Sequence, residues 1–229
     1  MYLLFEIMII PKLFYENEYK IFLPVFESIS AASINVPKGC IQSELVDLSA
    51  SVFYIYEGIV EWSITDENGN KNTLLFVGPG NIYPMPYSGK KLIMTEFLSF
   101  RAITPLKLLS IPKEKFNSLL SENPSLSDKV FHCYSNICDS LLSKIYLENH
   151  STSVGQISTL ILTFFDNSKD DKKSLSLSQE EIAEITGVTR VQVTRVLKLL
   201  RDEHIISTNR RSIEILDYDR LKYICENYE

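Results

Sequence analysis

The sequence predicts an α+β chain with antiparallel strands in its first half and helices in its second. Three observations predict it. Between about Ala32 and Pro112, short apolar or alternating runs are parted by Pro-Lys-Gly, Glu-Asn-Gly and Gly-Pro-Gly turns. Past Lys113 the apolar spacing lengthens from two to three and four. Near the end, two amphipathic segments are joined through a Thr-Gly-Val turn.

In chain order, the opening MYLLFEIMIIPKLF is apolar, yet it has no basic region, carries Glu6, and meets Pro11 far short of a membrane span. It reads as a packing segment, and Met8 is an alternative start. The strand runs are ASINV (32–36), the alternating FYIYEGIVEWSIT (53–65), NTLLFV (72–77), IMTEFLSF (93–100) and KLLSI (107–111). Together they predict an antiparallel β-roll of the jelly-roll or double-stranded β-helix type. Asp66-Glu67-Asn68-Gly69-Asn70 is a hairpin tip, because Asn and Gly accept the positive φ of tight turns.

Phe116, Leu119 and Leu120 mark a short helix, and Asn123-Pro124 opens a longer one. Its Val130, Tyr134, Ile137, Leu141 and Ile145 are spaced to pack on a partner helix. The stripe is broad, including Phe131, Cys138 and Leu142, so burial on the chain's own roll is the alternative. The polar run Asn149-His150-Ser151-Thr152-Ser153 suits a hinge. A further amphipathic helix spans 154–165 and ends in the loop DNSKDDKK. The expected division is a β-roll domain over 1–122, a long helix over 123–150 and a winged helix-turn-helix over 151–229.

Composition narrows the function. The 229 residues are 45% apolar and carry a formal charge of −6, which repels nucleic acid unless the basic residues are gathered on one face. They are gathered: 172–211 holds eight basic residues against five acidic ones. Cys40, Cys133, Cys138 and Cys225 lack CxxC spacing, which points to a reducing cytosol and away from zinc or a disulfide framework. The first 131 residues contain no histidine, so a metal site of the kind found on enzymatic rolls is not expected. There is no GxSxG and no GxxxxGK[ST]. The expectation is a non-enzymatic, cytoplasmic protein without metal or cofactor.

Ser178-Gln179-Glu180-Glu181 is a capping box that starts a helix, with Ile182, Ala183 and Ile185 on its apolar face. Gly187 permits the left-handed turn after it. The next helix opens at Thr189 and turns Val193, Val196, Leu197 and Leu200 inward, leaving Thr189, Arg190, Gln192, Thr194, Arg195 and Lys198 outward. Those side chains suit a major groove: Arg for guanine edges or phosphate, Gln for adenine, Thr for phosphate or a thymine methyl. ISTNRRSIEIL (205–216, less its first residue) reads as a hairpin with Asn209, Arg210 and Arg211 at its tip. This is a wing whose arginines reach backbone phosphate, or else a solvated turn.

A roll, a long helix and a winged helix-turn-helix in this order resemble the Crp/Fnr family of transcription regulators. The resemblance rests on FYIYEGIVEWSITDENGNKNTLLFVGPGN, FRAITPLKLLSIPKEKF and LSQEEIAEITGVTRVQVTRVLKLLRDEHII. It implies a homodimer joined through the helix that starts at Pro124, a roughly palindromic double-stranded DNA site, and RNA polymerase as a partner. Arg190 and Arg195 fall on family DNA-contact positions. Val191 falls where the best-known members carry a base-reading glutamate, and packing on a thymine methyl there favours an A·T-rich site.

The resemblance also carries a contrast. Members that bind cyclic AMP hold its phosphate with a Gly-Glu pair past the glycine turn and an Arg-Ser pair on the next strand. This sequence sets Pro84 and Met85 on the first pair and Glu96 and Phe97 on the second. A carboxylate there repels a cyclic phosphate. Leu141 and Leu142 stand where polar residues would meet adenine. The oxygen-sensing branch needs an N-terminal cysteine cluster, and only Cys40 precedes residue 130. What remains is a roll bordered by Tyr83, Met85, Tyr87, Met94 and Phe97 with Lys90 and Lys91 nearby, suited to a small organic acid. The match around LSQ and IxEITGV is similar to the branch that senses chlorinated phenolic acids. The alternatives are a roll filled by its own side chains with no effector, redox control through Cys133 and Cys138, and a sensor or scaffold that does not bind DNA.

Overall fold

The computed structural model describes residues 11–41, 50–67, 69, 71–84, 98–167, 174–175, 177–209 and 212–227. Leu13–Cys138 and Asp139–Glu229 form two compact units.

In the first unit, one sheet has the order β1 (Phe14–Tyr15), β5 (Lys71–Val77), β4 (Val60–Thr65), β7 (Leu98–Ala102). The other has the order β2 (Ala32–Val36), β8 (Leu106–Pro112), β3 (Ser51–Glu57), β6 (Ile82–Tyr83). Pairing is antiparallel except that β1 runs parallel to β5, Phe14 opposite Phe76. The inner faces meet in a core of Val60, Leu75 and Phe100 from one sheet and Phe53, Ile55 and Leu108 from the other. The run VFYIY in β3 is apolar on both sides because both are covered. Phe53 and Ile55 enter the roll, while Val52 and Tyr54 pack on Phe26 of α1 (Leu23–Ile29), Phe116 of α2 (Lys113–Glu122) and Leu126 of α3 (Pro124–His150).

The predicted strand over 53–65 is two strands in different sheets. Gly58 sits at φ +93°, and a Cβ there would lie 2.3 Å from the Pro105 carbonyl oxygen, so the chain turns at a residue only glycine can occupy. At the predicted hairpin tip, the Gly69 amide donates to the Asp66 carbonyl at 3.0 Å; Asn68 and Asn70 lie outside the described residues, as do 93–97 of the predicted strand over 93–100. Across β4, β5 and β7, the buried Glu61 carboxylate accepts from Lys71 Nζ, Thr73 Oγ1 and Arg101 Nε, each at 2.8 Å.

The structure corrects the predicted stripe of α3. Val130, Tyr134 and Ile137 pack against the roll's outer core rather than a partner helix. Ile145 of the predicted stripe is exposed at 55%, and beside it stand the exposed Phe131 at 71%, Cys138 and Leu142 at 66%. Cys133, by contrast, is buried. A helix with a broad apolar arc meets its own domain on one side and leaves the other open.

The second unit packs α4 (Ser153–Asn167) against α5 (Gln179–Thr186), α6 (Arg190–Asp202) and α7 (Tyr218–Asn227), beside the sheet β10 (Ile206–Asn209), β11 (Ser212–Ile215), β9 (Ser174–Leu175). Ile157, Leu160, Ile182, Val196, Leu200 and Leu221 are buried in it. The antiparallel β10–β11 pair is the expected wing hairpin, Thr208 opposite Ile213. α7 and β9 have no counterpart among the expected elements. At the expected hinge, α3 ends at His150 and α4 begins at Ser153. The Gln156 side-chain Nε2 donates to the carbonyls of Leu147, Glu148 and Ser151 at 3.0, 3.3 and 3.1 Å, closing the end of α3.

Candidate nucleic-acid interface

α5 starts where Ser178 Oγ accepts from the Glu181 amide at 3.1 Å and Glu181 Oε2 accepts from the Ser178 amide at 2.8 Å. Two otherwise unpaired donors of the first turn are thereby satisfied. It ends at Gly187, whose φ of +74° turns the chain while its amide donates to the Ala183 carbonyl at 2.9 Å. Two residues later α6 begins with a second capping box. Thr189 Oγ1 accepts from the Gln192 amide at 3.3 Å, and Gln192 Oε1 accepts from both the amide and the hydroxyl of Thr189, at 2.9 and 2.8 Å.

The apolar face of α6, with Val193, Val196, Leu197 and Leu200, is buried. Its opposite face, with Arg190, Val191, Gln192, Thr194, Arg195 and Lys198, is exposed. The segregation follows the 3.6-residue period, so the positions named from sequence as outward all stand on the open face. Arg190 Nε lies 3.4 Å from Glu180 Oε2; both side chains are about two-thirds exposed, so water weakens this pair. The Thr194 hydroxyl faces Gln179 Oε1 at 2.9 Å and the Arg190 carbonyl at 3.0 Å. Behind the open face, Arg201 Nη1 donates to Thr208 Oγ1 at 2.8 Å, tying α6 to the first strand of the wing. Arg210 and Arg211 lie outside the described residues.

Two of these side chains are committed within the protein. Gln192 Oε1 already receives two donors, matching its two lone pairs, so its NH2 group is what remains for a ligand. A bidentate contact with adenine needs both ends of the amide. Thr189→Ala removes this cap and should destabilise the protein by about 1 kcal/mol, read as a lower midpoint of urea unfolding. Gln192→Glu keeps both acceptors and should unfold like the parent protein.

Of the residues expected to border an effector, Tyr83 is fully buried, its ring 5.7 Å from Phe53 and 6.1 Å from Phe100. Met85, Tyr87, Lys90, Lys91, Met94 and Phe97 lie outside the described residues, as does Glu96. Leu141 is half-buried and Leu142 exposed, in the second unit. Within the first unit, a cavity of about 20 Å³ is lined by Tyr15, Tyr19, Trp62, Asn81, Cys133 and Ile137 among others. That is room for a single water. The indole N–H of Trp62 and the amide nitrogen of Asn81 are buried without a protein acceptor among the described residues. Burial raises the Tyr19 hydroxyl pKa far above its usual value. No helix among the described residues is long and apolar enough to cross a membrane.

Sequence reasoning missed Gln179, Glu180, Lys144, Glu148 and Gln156 as residues that hold this surface in place. The Lys144–Glu148 pair carries a visible i,i+4 signal; the others depend on which elements meet.

Residues 156–224 match the model of the Crp-like helix-turn-helix domain. The chain is 28% identical to the global nitrogen regulator of Nostoc sp. over 74% of its own length and 78% of that protein. It is 23% identical to the cAMP-activated global transcriptional regulator CRP of Pasteurella multocida over 72% of this chain and 80% of that one. The fold superimposes on the OCPA complex of CprK with a TM-score of 0.69 and 19% identity, covering 93% of this chain and 97% of that one.

Proposed function

We propose that this chain is a Crp/Fnr-type transcription regulator, a reading supported by the Crp-like helix-turn-helix match over residues 156–224 and by the likeness to the global nitrogen regulator and to CRP, that it reads a roughly palindromic double-stranded DNA site as a homodimer in the cytoplasm, and that it performs no catalysis. The observation that carries this reading is the open face of α6. Arg190, Val191, Arg195 and Lys198 are exposed together, on a helix whose other side is buried and whose start is held by a capping box. Such a helix presents its N-terminal half to a major groove, with the wing beside it for backbone phosphate. Binding to random-sequence DNA, followed by sequencing of the retained fraction, tests it. Enrichment of an inverted repeat supports the dimeric reader, enrichment of an asymmetric site argues against the dimer, and no enrichment overturns the function.

A second copy is the fitting partner for α3. Phe131, Cys138, Leu142 and Ile145 are exposed at spacings of seven, four and three, which is the spacing of a seam between two helices. Ile145→Glu buries a charge in that seam, so the variant should sediment as a monomer at micromolar concentration and lose affinity for the inverted repeat. RNA polymerase is the further partner implied by the family.

Control resides in the roll. The Glu96 and Phe97 positions disfavour cyclic AMP, and a small organic acid is the fitting class of effector. A second reading, regulation without an effector, is favoured by the filled interior at Tyr83, Phe53 and Phe100. Cyclic AMP binding at micromolar concentration in a titration would overturn the first part of this assignment. A molecule copurifying in the roll would exclude the second reading.

A further inference from the structure

Lys144 lies in the second half of α3 and is only 7% exposed. Its ammonium group has two partners. It donates to the backbone carbonyl of Ile185, and it pairs with Glu148 Oε1 at 2.8 Å one turn along its own helix. Burial lowers its pKa, and the Glu148 carboxylate opposes that shift.

The position of the accepting carbonyl gives the contact its meaning. Ile185 is in the last turn of α5, where carbonyls have no partner within the helix and a cation is favourable. The Ala183 carbonyl is taken by the Gly187 amide, and the Ile185 carbonyl by Lys144. Gly187 and the turn into α6 follow immediately. Lys144 therefore grips the helix-turn-helix at the joint between its two helices. The same stretch of α3 is held on its other side, where Gln156 closes the carbonyls of Leu147, Glu148 and Ser151. An apolar side chain would fill this place with less desolvation; a buried charge that needs particular partners disfavours every other arrangement of α5 on α3.

We propose that Lys144 is a positioning residue for DNA reading: it latches α5 and α6 in one orientation on α3, so that the recognition helices of a dimer meet half-sites at one spacing. The assignment rests on the DNA-reading function proposed above. Spacing selectivity is the readout, because a residue that only stabilises the fold would not change it. The full-length protein and its Lys144→Met variant are titrated with the selected inverted repeat and with repeats one base pair longer and shorter. The parent chain should reject the altered spacings. The variant should bind the parent repeat about tenfold more weakly, as expected when the competent orientation falls to a tenth of the population. It should also lose most of its discrimination between spacings while remaining dimeric.

Unchanged affinity and discrimination in Lys144→Met would overturn the latch. Tighter binding would overturn it as well, because the held orientation would then not be the reading one. If Lys144→Met does not unfold cooperatively, Lys144→Gln gives the same comparison, since its shorter neutral side chain gives up both the charge and the contact with Ile185. Partial loss of spacing discrimination is expected, and parental discrimination overturns the proposal. Absence of sequence-selective binding by the parent chain would instead overturn the DNA-reading function, and the latch with it.

Discussion

The double variant Arg190→Ala, Arg195→Ala should fold and dimerise like the parent protein and lose about a thousandfold or more in affinity for the selected repeat, since each good bidentate base contact contributes roughly 1–3 kcal/mol and a dimer loses four. Both side chains stand on the exposed face of α6, and neither contributes to the buried face that holds the helix in place. Among the described residues, the ion pair that the variant loses is the weak one between Arg190 and Glu180, which contributes little at the surface. Fluorescence anisotropy at fixed salt, with the unfolding midpoint measured in parallel, checks both halves of the expectation. An affinity within threefold of the parent would mean that α6 does not enter the groove. A weaker single effect is expected for Lys198→Ala, which should act equally on all sequences and lower the salt dependence of binding, as loss of a phosphate contact does.

The largest expected change in stability is at Glu61. Only 3% of this residue is exposed, and its carboxylate satisfies Lys71, Thr73 and Arg101 across three strands. Glu61→Gln replaces one of the two buried acceptor oxygens with an NH2 group that faces donors, so it should cost about 2 kcal/mol. Burial by itself pushes the Glu61 pKa up, but the hydrogen bonds from Lys71, Thr73 and Arg101 outweigh it and leave the carboxyl below its usual range. The sign of the pH dependence follows. A depressed pKa in the folded state stabilises the protein above the unfolded value, and that contribution is lost as the pH falls through the folded value. The gap in stability between parent and Glu61→Gln should thus be widest at neutral pH and narrow as the pH drops below about 4.5. A gap that stays constant as the pH falls well below that value would mean the carboxylate is not held ionised by this cluster.

The helix-turn-helix was legible in the sequence because its signals are local. The box at Ser178, the glycine after it, the helix start at Thr189 and the 3.6-residue period of α6 all lie within about one twenty-residue unit, and each restricts the backbone of its own neighbourhood. The β-runs of the roll were legible for a similar reason, since turn residues punctuate them. α7 had a readable start, because the Asp217 side chain accepts from the Arg220 amide at 2.9 Å, a common N-terminal signature. α1 offered less: a seven-residue segment with no side-chain cap.

What the amino-acid sequence determined by itself was the change from strands to helices along the chain, the position of the turn at Gly187 and the outward set on α6, each set by periodicity and capping over a few residues. Only the tertiary structure decided which partner each apolar or polar face would meet. In β3 both faces are covered, so alternation could not reveal that residues 53–65 belong to two sheets. In α3 the apolar arc is broad, and packing on the roll took Val130, Tyr134 and Ile137 while leaving Phe131, Leu142 and Ile145 open. The commitment of Lys144 to the Ile185 carbonyl joins positions 41 residues apart, and no local rule couples them. Secondary structure is specified by short-range sterics and hydrogen bonding, whereas the choice among apolar faces and the pairing of distant polar groups depend on the whole core closing at once.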